Sequence, residues 1–178
     1  MKIKCFPKTM SEEQAMKIAR GGGNIVGKML YGNKDINMRV MYLENRYIVF
    51  DMTYCPSIIQ RLRKKEGKVK KQKIRVMVEG TRCTASYVDD EIKVDSIDVK
   101  EEDIQYSEFT DEQLVEKGKD MCRRMVRRQV GNYITLEVDS MTTVFRPYYI
   151  AFYGNLIEGT KVRYLPIPAD GNEVKRTT

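Results

Sequence analysis

The chain has 178 residues, 42% of them hydrophobic and 32% charged, an ordinary globular balance with material for one large core or two small ones. Its formal charge of +7 and pI near 9.2 favour acidic partners, because net charge governs association rather than fold. No stretch approaches the roughly 20 apolar residues of a membrane helix, and Met1-Lys-Ile-Lys-Cys-Phe-Pro-Lys8 lacks the apolar run of a secretory signal, so a cytoplasmic protein without a transmembrane segment is expected.

In chain order, Ser11-Glu-Glu-Gln14 has the spacing of a capping box, and Ala15, Met16, Ile18 and Ala19 supply an apolar stripe behind it. The helix should break at Gly21-Gly-Gly23, with a second short helix over Ile25 to Leu30. From Asn37 the pattern turns to strand. Met38 to Tyr42 alternates, Glu44-Asn45 is a turn signal, and Arg46-Tyr-Ile-Val-Phe-Asp-Met52 is β-branched and aromatic, so a hairpin is expected. Residues 54–72 read as a basic connection. Lys73-Ile-Arg-Val-Met-Val78 resumes strand character, and Gly80 to Tyr87 supplies one more strand.

In residues 88–108, Asp89, Asp90, Glu91, Asp95, Asp98, Glu101, Glu102 and Asp103 are interrupted by Ile92, Val94, Ile97 and Val99, the pattern of an acidic joint that holds a short strand. Thr110-Asp-Glu-Gln113 is a second capping box. Leu114, Gly118, Met121, Cys122 and Met125 follow at helical spacing, and Gly131-Asn132 ends that helix. Ile134 to Val138 alternates, Tyr148-Tyr-Ile-Ala-Phe-Tyr-Gly154 repeats the Arg46–Met52 motif, and Lys161-Val-Arg-Tyr-Leu165 mirrors Lys73-Ile-Arg-Val-Met77.

The expected fold class is therefore α+β, with two tandem similar units, each a helix packed on antiparallel β-sheet in the order helix, hairpin, strand. Residues 1–100 form the first unit, with the basic insertion at 54–72, and residues 101–178 the second. Tyr47, Ile48 and Phe50 match Tyr149, Ile150 and Phe152. The same-face sets are Ile48 with Phe50, Ile150 with Phe152, Ile74 with Val76, and Val162 with Tyr164. In element order alone this arrangement resembles the small α+β modules of the PepSY type, a likeness that carries no function and no residue.

The chain contains no histidine, and Cys5, Cys55, Cys83 and Cys122 form no C-x-x-C pair. Thiolate zinc sites draw on close cysteine pairs supplemented by histidine, so no metal or other cofactor is expected and the thiols read as reduced core residues. Gly22-Gly-Asn-Ile-Val-Gly27-Lys28 imitates a phosphate loop, but Met29 stands where magnesium chemistry needs Ser or Thr, and a helix precedes it where a strand should. Nucleophilic catalysis by Cys or Ser lacks its usual base. The acid clusters sit at a helix start and in polar connections, where solvation explains them.

Two basic features remain. Arg61, Arg63, Lys64, Lys65, Lys68, Lys70, Lys71, Lys73 and Arg75 place nine cations in fifteen positions, a candidate anion-binding stretch acting by counterion release. Arg123, Arg124, Arg127 and Arg128 form a stripe on the second helix that a solvated face explains. Tyr148, Tyr149 and Tyr153, with Arg146 and Arg163, could stack bases, but lack the spacing of a ribonucleoprotein motif. The expected function is a non-catalytic binding or adaptor module, not an enzyme, with a partner protein as ligand; the alternative is nucleic-acid or anionic-surface binding through 61–75.

Overall fold

The computed structural model describes residues 1–21, 35–54, 69–89, 92–130, 134–154 and 162–171. It is α+β, with an eight-stranded mixed sheet and two helices among the described residues.

Ile3 and Cys5 are buried while Lys2 and Lys4 are exposed, and this alternation makes β1 (Lys2–Cys5), an element the sequence analysis does not anticipate. The helix α1 (Glu12–Ala19) starts as expected. The Gln14 N–H donates to Ser11 Oγ at 3.3 Å and the Ser11 N–H donates to Gln14 Oε1 at 3.0 Å, closing the capping box. The chain leaves the helix through Gly21 at φ 98°, backbone that glycine adopts without penalty. The expected short helix over 25–30 lies outside the described residues.

β2 (Ile36–Tyr54) is one continuous strand of 19 residues, where a hairpin turning at Glu44-Asn45 was expected. The turn chemistry is overridden by partners distant in sequence. The Glu44 carbonyl accepts from the Gly80 N–H at 3.0 Å, and its carboxylate accepts from Arg46 and, at 2.9 Å, from the Ser107 N–H. A polar residue with all these partners stays extended. β3 (Lys70–Glu79) returns antiparallel to β2, from Tyr54 opposite Lys70 to Asn45 opposite Glu79, so the strand starts three residues before its expected position. β4 (Ala85–Val88) pairs antiparallel with β3.

The acidic joint does hold a short strand, β5 (Asp95–Asp98), antiparallel to β1. A single 3-10 turn at Glu101–Asp103 leads into β6 (Ile104–Gln105). α2 (Asp111–Val130) opens with its own capping box: the Thr110 N–H donates to Gln113 Oε1 at 3.0 Å and the Gln113 N–H to Thr110 Oγ1 at 3.4 Å. β7 (Ile134–Tyr153) is again continuous, 20 residues long, where two strands were expected, and β8 (Arg163–Pro168) pairs antiparallel with it.

The strand order is β4-β3-β2-β7-β1-β5, with β6 on β2 and β8 on β7. Two pairings are parallel, β1 with β7 and β2 with β6, so the expected purely antiparallel sheet is corrected to a mixed one. The short strands responsible precede each helix and carry little periodic signal.

The chain forms two compact units, each discontinuous in sequence. The first comprises Met1–Leu43, Lys93–Gln105 and Phe145–Val174; the second comprises Glu44–Ile92, Tyr106–Val144 and Lys175–Thr178. In the second unit, one face of α2 (Leu114, Met121, Cys122 and Val126) buries Ile48, Phe50 and Met52 of β2 and Ile74, Val76 and Val78 of β3. Gly118 sits in this contact: a Cβ there would lie 3.0 Å from Phe50 Cε2 and Cζ, so the helix approaches the sheet as closely as a glycine permits.

In the first unit, Ala15 and Ala19 of α1 pack with Tyr149 and Ala151 of β7 and with Ile167 and Ala169. A second cluster gathers Ile3, Cys5, Tyr42, Ile104 and Phe145. The helix-covered face of β7 therefore carries Tyr149 and Ala151, not Ile150 and Phe152, and Tyr164 of β8 is 57% exposed. Ile48 and Phe50 lie under α2, whereas Ile150 and Phe152, the residues that the motif match sets against them, lie on the other face of β7 from the Tyr149 and Ala151 that pack with α1.

Candidate binding surfaces

Of the nine expected anion-binding residues, Arg61, Arg63, Lys64, Lys65 and Lys68 lie outside the described residues. Lys70, Lys71, Lys73 and Arg75 are on β3, whose register fixes their directions. Lys71, Lys73 and Arg75 share the face opposite the buried Ile74 and Val76, and Lys70 lies on the other face. The structure thus brings three of the cations into one row.

That row is not purely basic. Lys73 Nζ donates to Asp139 Oδ2 of β7 at 2.7 Å and lies 3.8 Å from Asp51 Oδ1, its cross-strand partner on β2. The bond to Asp139 holds its ammonium above the usual lysine range. Lys71 is exposed and has no ion partner among the described residues. The same face carries half-buried Tyr47 and Val49 of β2, Met77 of β3 and Val88 of β4. None of these four belongs to either core of buried residues described above.

The arginine stripe of α2 is solvated. Arg123 and Arg127 are exposed, and Arg123 donates to Asp120 at 2.8 Å one turn back. Arg124 is also exposed and reaches the Asp120 carbonyl at 3.3 Å, while the Arg128 side chain lies outside the described set.

The tyrosines proposed to stack bases serve the fold. Tyr148 and Tyr149 are buried; the Tyr149 hydroxyl donates to the Met10 carbonyl at 3.2 Å and the Tyr153 hydroxyl to the Ala19 carbonyl at 2.7 Å, where it satisfies an end of α1. Arg146 is committed to Asp170.

A cleft of about 570 Å³ in the first unit is lined by Arg39, Val40, Met41, Glu102, Asp103 and Phe152, a site sequence reasoning missed. Glu102 is exposed and accepts from Lys100 at 3.3 Å. The cleft holds one cation, two carboxylates and an aromatic ring at an open surface.

The titrating groups with displaced pKa are structural. Burial pushes the Cys122 thiol up to about 11 and Cys5 up to about 12. Burial disfavours charge on Arg46, but its bonds to Glu44 and Asp111 outweigh that and hold its pKa above the ordinary arginine value. Glu112, at the start of α2, is held low by backbone N–H donation and by the Thr110 hydroxyl; Glu116 is held low by Lys119. Cys5, Cys83 and Cys122 are separate free thiols, and Cys55 is outside the described residues. Among the described residues, no group of three or more His, Cys, Asp or Glu could hold a metal ion, and no helix is long and apolar enough to cross a membrane. No family model, curated protein or solved structure matches the chain.

Proposed function

We propose that this protein is a non-catalytic binding or adaptor module whose ligand is a partner protein. The observation that supports this best is the sheet of the second unit, one face of which no helix covers among the described residues. Its even face is filled by α2, whereas its odd face sets Tyr47, Val49, Met77 and Val88 together, half-buried, between charged rows. Apolar patches rimmed by polar groups are a feature of protein-binding surfaces. A photoreactive residue placed at Val49, in the full chain expressed in its native cells, tests this. The reading expects a discrete cross-linked protein that is lost when Met77→Glu adds a charge to the face; no cross-link at Val49 contradicts it.

The second reading, nucleic-acid or anionic-surface binding through Arg61 to Arg75, is supported by exposed Lys71. It expects affinity that falls steeply with salt, flattened by roughly 0.9 in log-log slope for each duplex phosphate contact removed.

We infer, in addition, that the chain is a tandem repeat: β1-α1-β2-β3 followed by β6-α2-β7-β8. In this alignment Ser11-Gln14 corresponds to Thr110-Gln113, and Ala15 and Ala19 correspond to Leu114 and Gly118. Ile48 and Phe50 correspond to Tyr149 and Ala151, and Ile74, Val76 and Val78 to Leu165, Ile167 and Ala169. Support comes from the matched capping boxes and core faces. Ala151→Glu is expected to unfold the protein and Phe152→Glu to be tolerated; the reverse result in thermal melts contradicts the alignment.

A further inference from the structure

The sheet face of the second unit opposite α2 separates its charges by strand. Lys73 Nζ lies 3.8 Å from Asp51 Oδ1 of β2 and donates to Asp139 Oδ2 of β7 at 2.7 Å, so these residues form one row across the sheet. Ile134 and Leu136 pack against the core under α2, so Glu137, Asp139 and Met141 alternate onto the opposite side. The Gly154 N–H donates to the Asp35 carbonyl at 2.9 Å. With Asp51 and Asp139 meeting at Lys73, this makes β2 and β7 antiparallel neighbours and sets Glu137 in the row of Thr53 and Lys71.

Along Lys71–Met77 the charges that β3 places on this face are the cations Lys71, Lys73 and Arg75, whereas β2 and β7 contribute the carboxylates Asp51, Glu137 and Asp139. Lys71, Asp51, Glu137, Asp139 and Met141 are exposed. Cations thus lie on one side of β2 and acids on β7 at the other, with Tyr47, Val49, Met77 and Val88 continuing the same face as its apolar part.

We propose that a second copy of this chain occupies this face, the two sheets packing about a twofold axis that runs along β2. The proposal rests on the adaptor reading of the face and names its occupant. Rotation about such an axis exchanges the two sides of β2, so Lys71 and Lys73 of one copy meet Glu137 and Asp139 of the other, twice over. Val49 meets its own copy at the axis. Asp51 also approaches its own copy there, each carboxylate keeping Lys73 beside it. Packed sheets lie about 10 Å apart with their strands roughly 30° from alignment, within reach of lysine and glutamate side chains. A nucleic acid has no use for the three carboxylates, and an unrelated protein would need the exchanged charge pattern that a second copy supplies by symmetry.

Sedimentation equilibrium of the full chain at about 0.1 M salt tests this, with Lys71→Glu, Glu137→Lys and an equimolar mixture of the two variants. Both side chains are exposed, so the variants fold, which circular dichroism and melts confirm beforehand. The wild-type chain is expected to dimerise with Kd below about 0.1 mM, and each reversal, which sets like charges together twice per dimer, to weaken it about tenfold. In the mixture each reversed residue meets the other variant's reversed residue and native meets native, so the heterodimer regains wild-type affinity. A mixture no tighter than the single variants overturns the proposal, as does wild-type dimerisation that neither reversal changes. So does a wild-type chain that is monomeric at about 0.1 mM. A monomer whose Val49 cross-link joins a different protein removes the second copy and leaves the adaptor reading standing; a monomer without that cross-link removes both.

Discussion

Arg146 grips Asp170 with two parallel hydrogen bonds, Nε to Oδ2 at 2.7 Å and Nη2 to Oδ1 at 3.0 Å, with side chains only 11% and 4% exposed. The pair ties β7 to the turn after β8, beside the Ala169 carbonyl that accepts from the Thr9 and Met10 N–H groups. Removing one partner of a buried pair strands the other charge. Asp170→Ala is expected to cost about 3–5 kcal/mol in urea denaturation, and replacing both residues with apolar side chains of similar volume to cost less than that single change.

Gly118 and Phe50 form a second tight relationship. On helix propensity alone Gly118→Ala should stabilise α2 by about 1 kcal/mol. The added methyl meets a fully buried ring that must shift by a few tenths of an ångström to admit it, and overpacking of this kind costs about 1–3 kcal/mol. The expected net effect is destabilisation. In a double-mutant cycle, Phe50→Leu should make Gly118→Ala neutral or favourable; additive single costs would contradict the contact.

The buried thiols give a pH dependence. Cys122 and Cys5 have folded pKa values near 11 and near 12, raised above the ordinary 9.0 by burial, so the fold favours the neutral thiol. That contribution is fully present below about pH 9 and is lost as pH rises through the folded values, at up to about 1.4 kcal/mol per pH unit for each thiol. Stability measured between about pH 9 and about pH 11 should therefore fall less steeply in Cys122→Ala. Alkylation of the native protein should reach half-buried Cys83 well before Cys5 or Cys122.

The sequence disclosed whatever is decided locally. Both capping boxes were readable because an N-cap and its partner lie three residues apart, and the α2 core face because its apolar residues recur at helical spacing. The long strands were not readable. Glu44-Asn45 has turn chemistry, and partners brought in by the fold, Gly80 and Ser107 for Glu44 and Glu79 for Asn45, hold it extended. The helix-covered face of β7 was not readable because Ala151 is less hydrophobic than Phe152, while the helix that covers the strand presents alanines, Ala15 and Ala19, and packs with the small Ala151. As for the candidate surface, charge located the β3 cations, but which face they share depends on register with β2 and β4.

Each core draws side chains from both halves of the chain: α2 covers β2 and β3, and α1 packs on β7 and β8. The most direct measurement expresses residues 1–100 and 101–178 separately and records circular dichroism and amide NMR of each alone and of their mixture. The expected result is that neither fragment folds cooperatively by itself, because each lacks the surface its helix needs, and that an equimolar mixture regains native dispersion and a cooperative melt. A 101–178 fragment that folds cooperatively alone, with α2 packed on its own strands, would contradict the account.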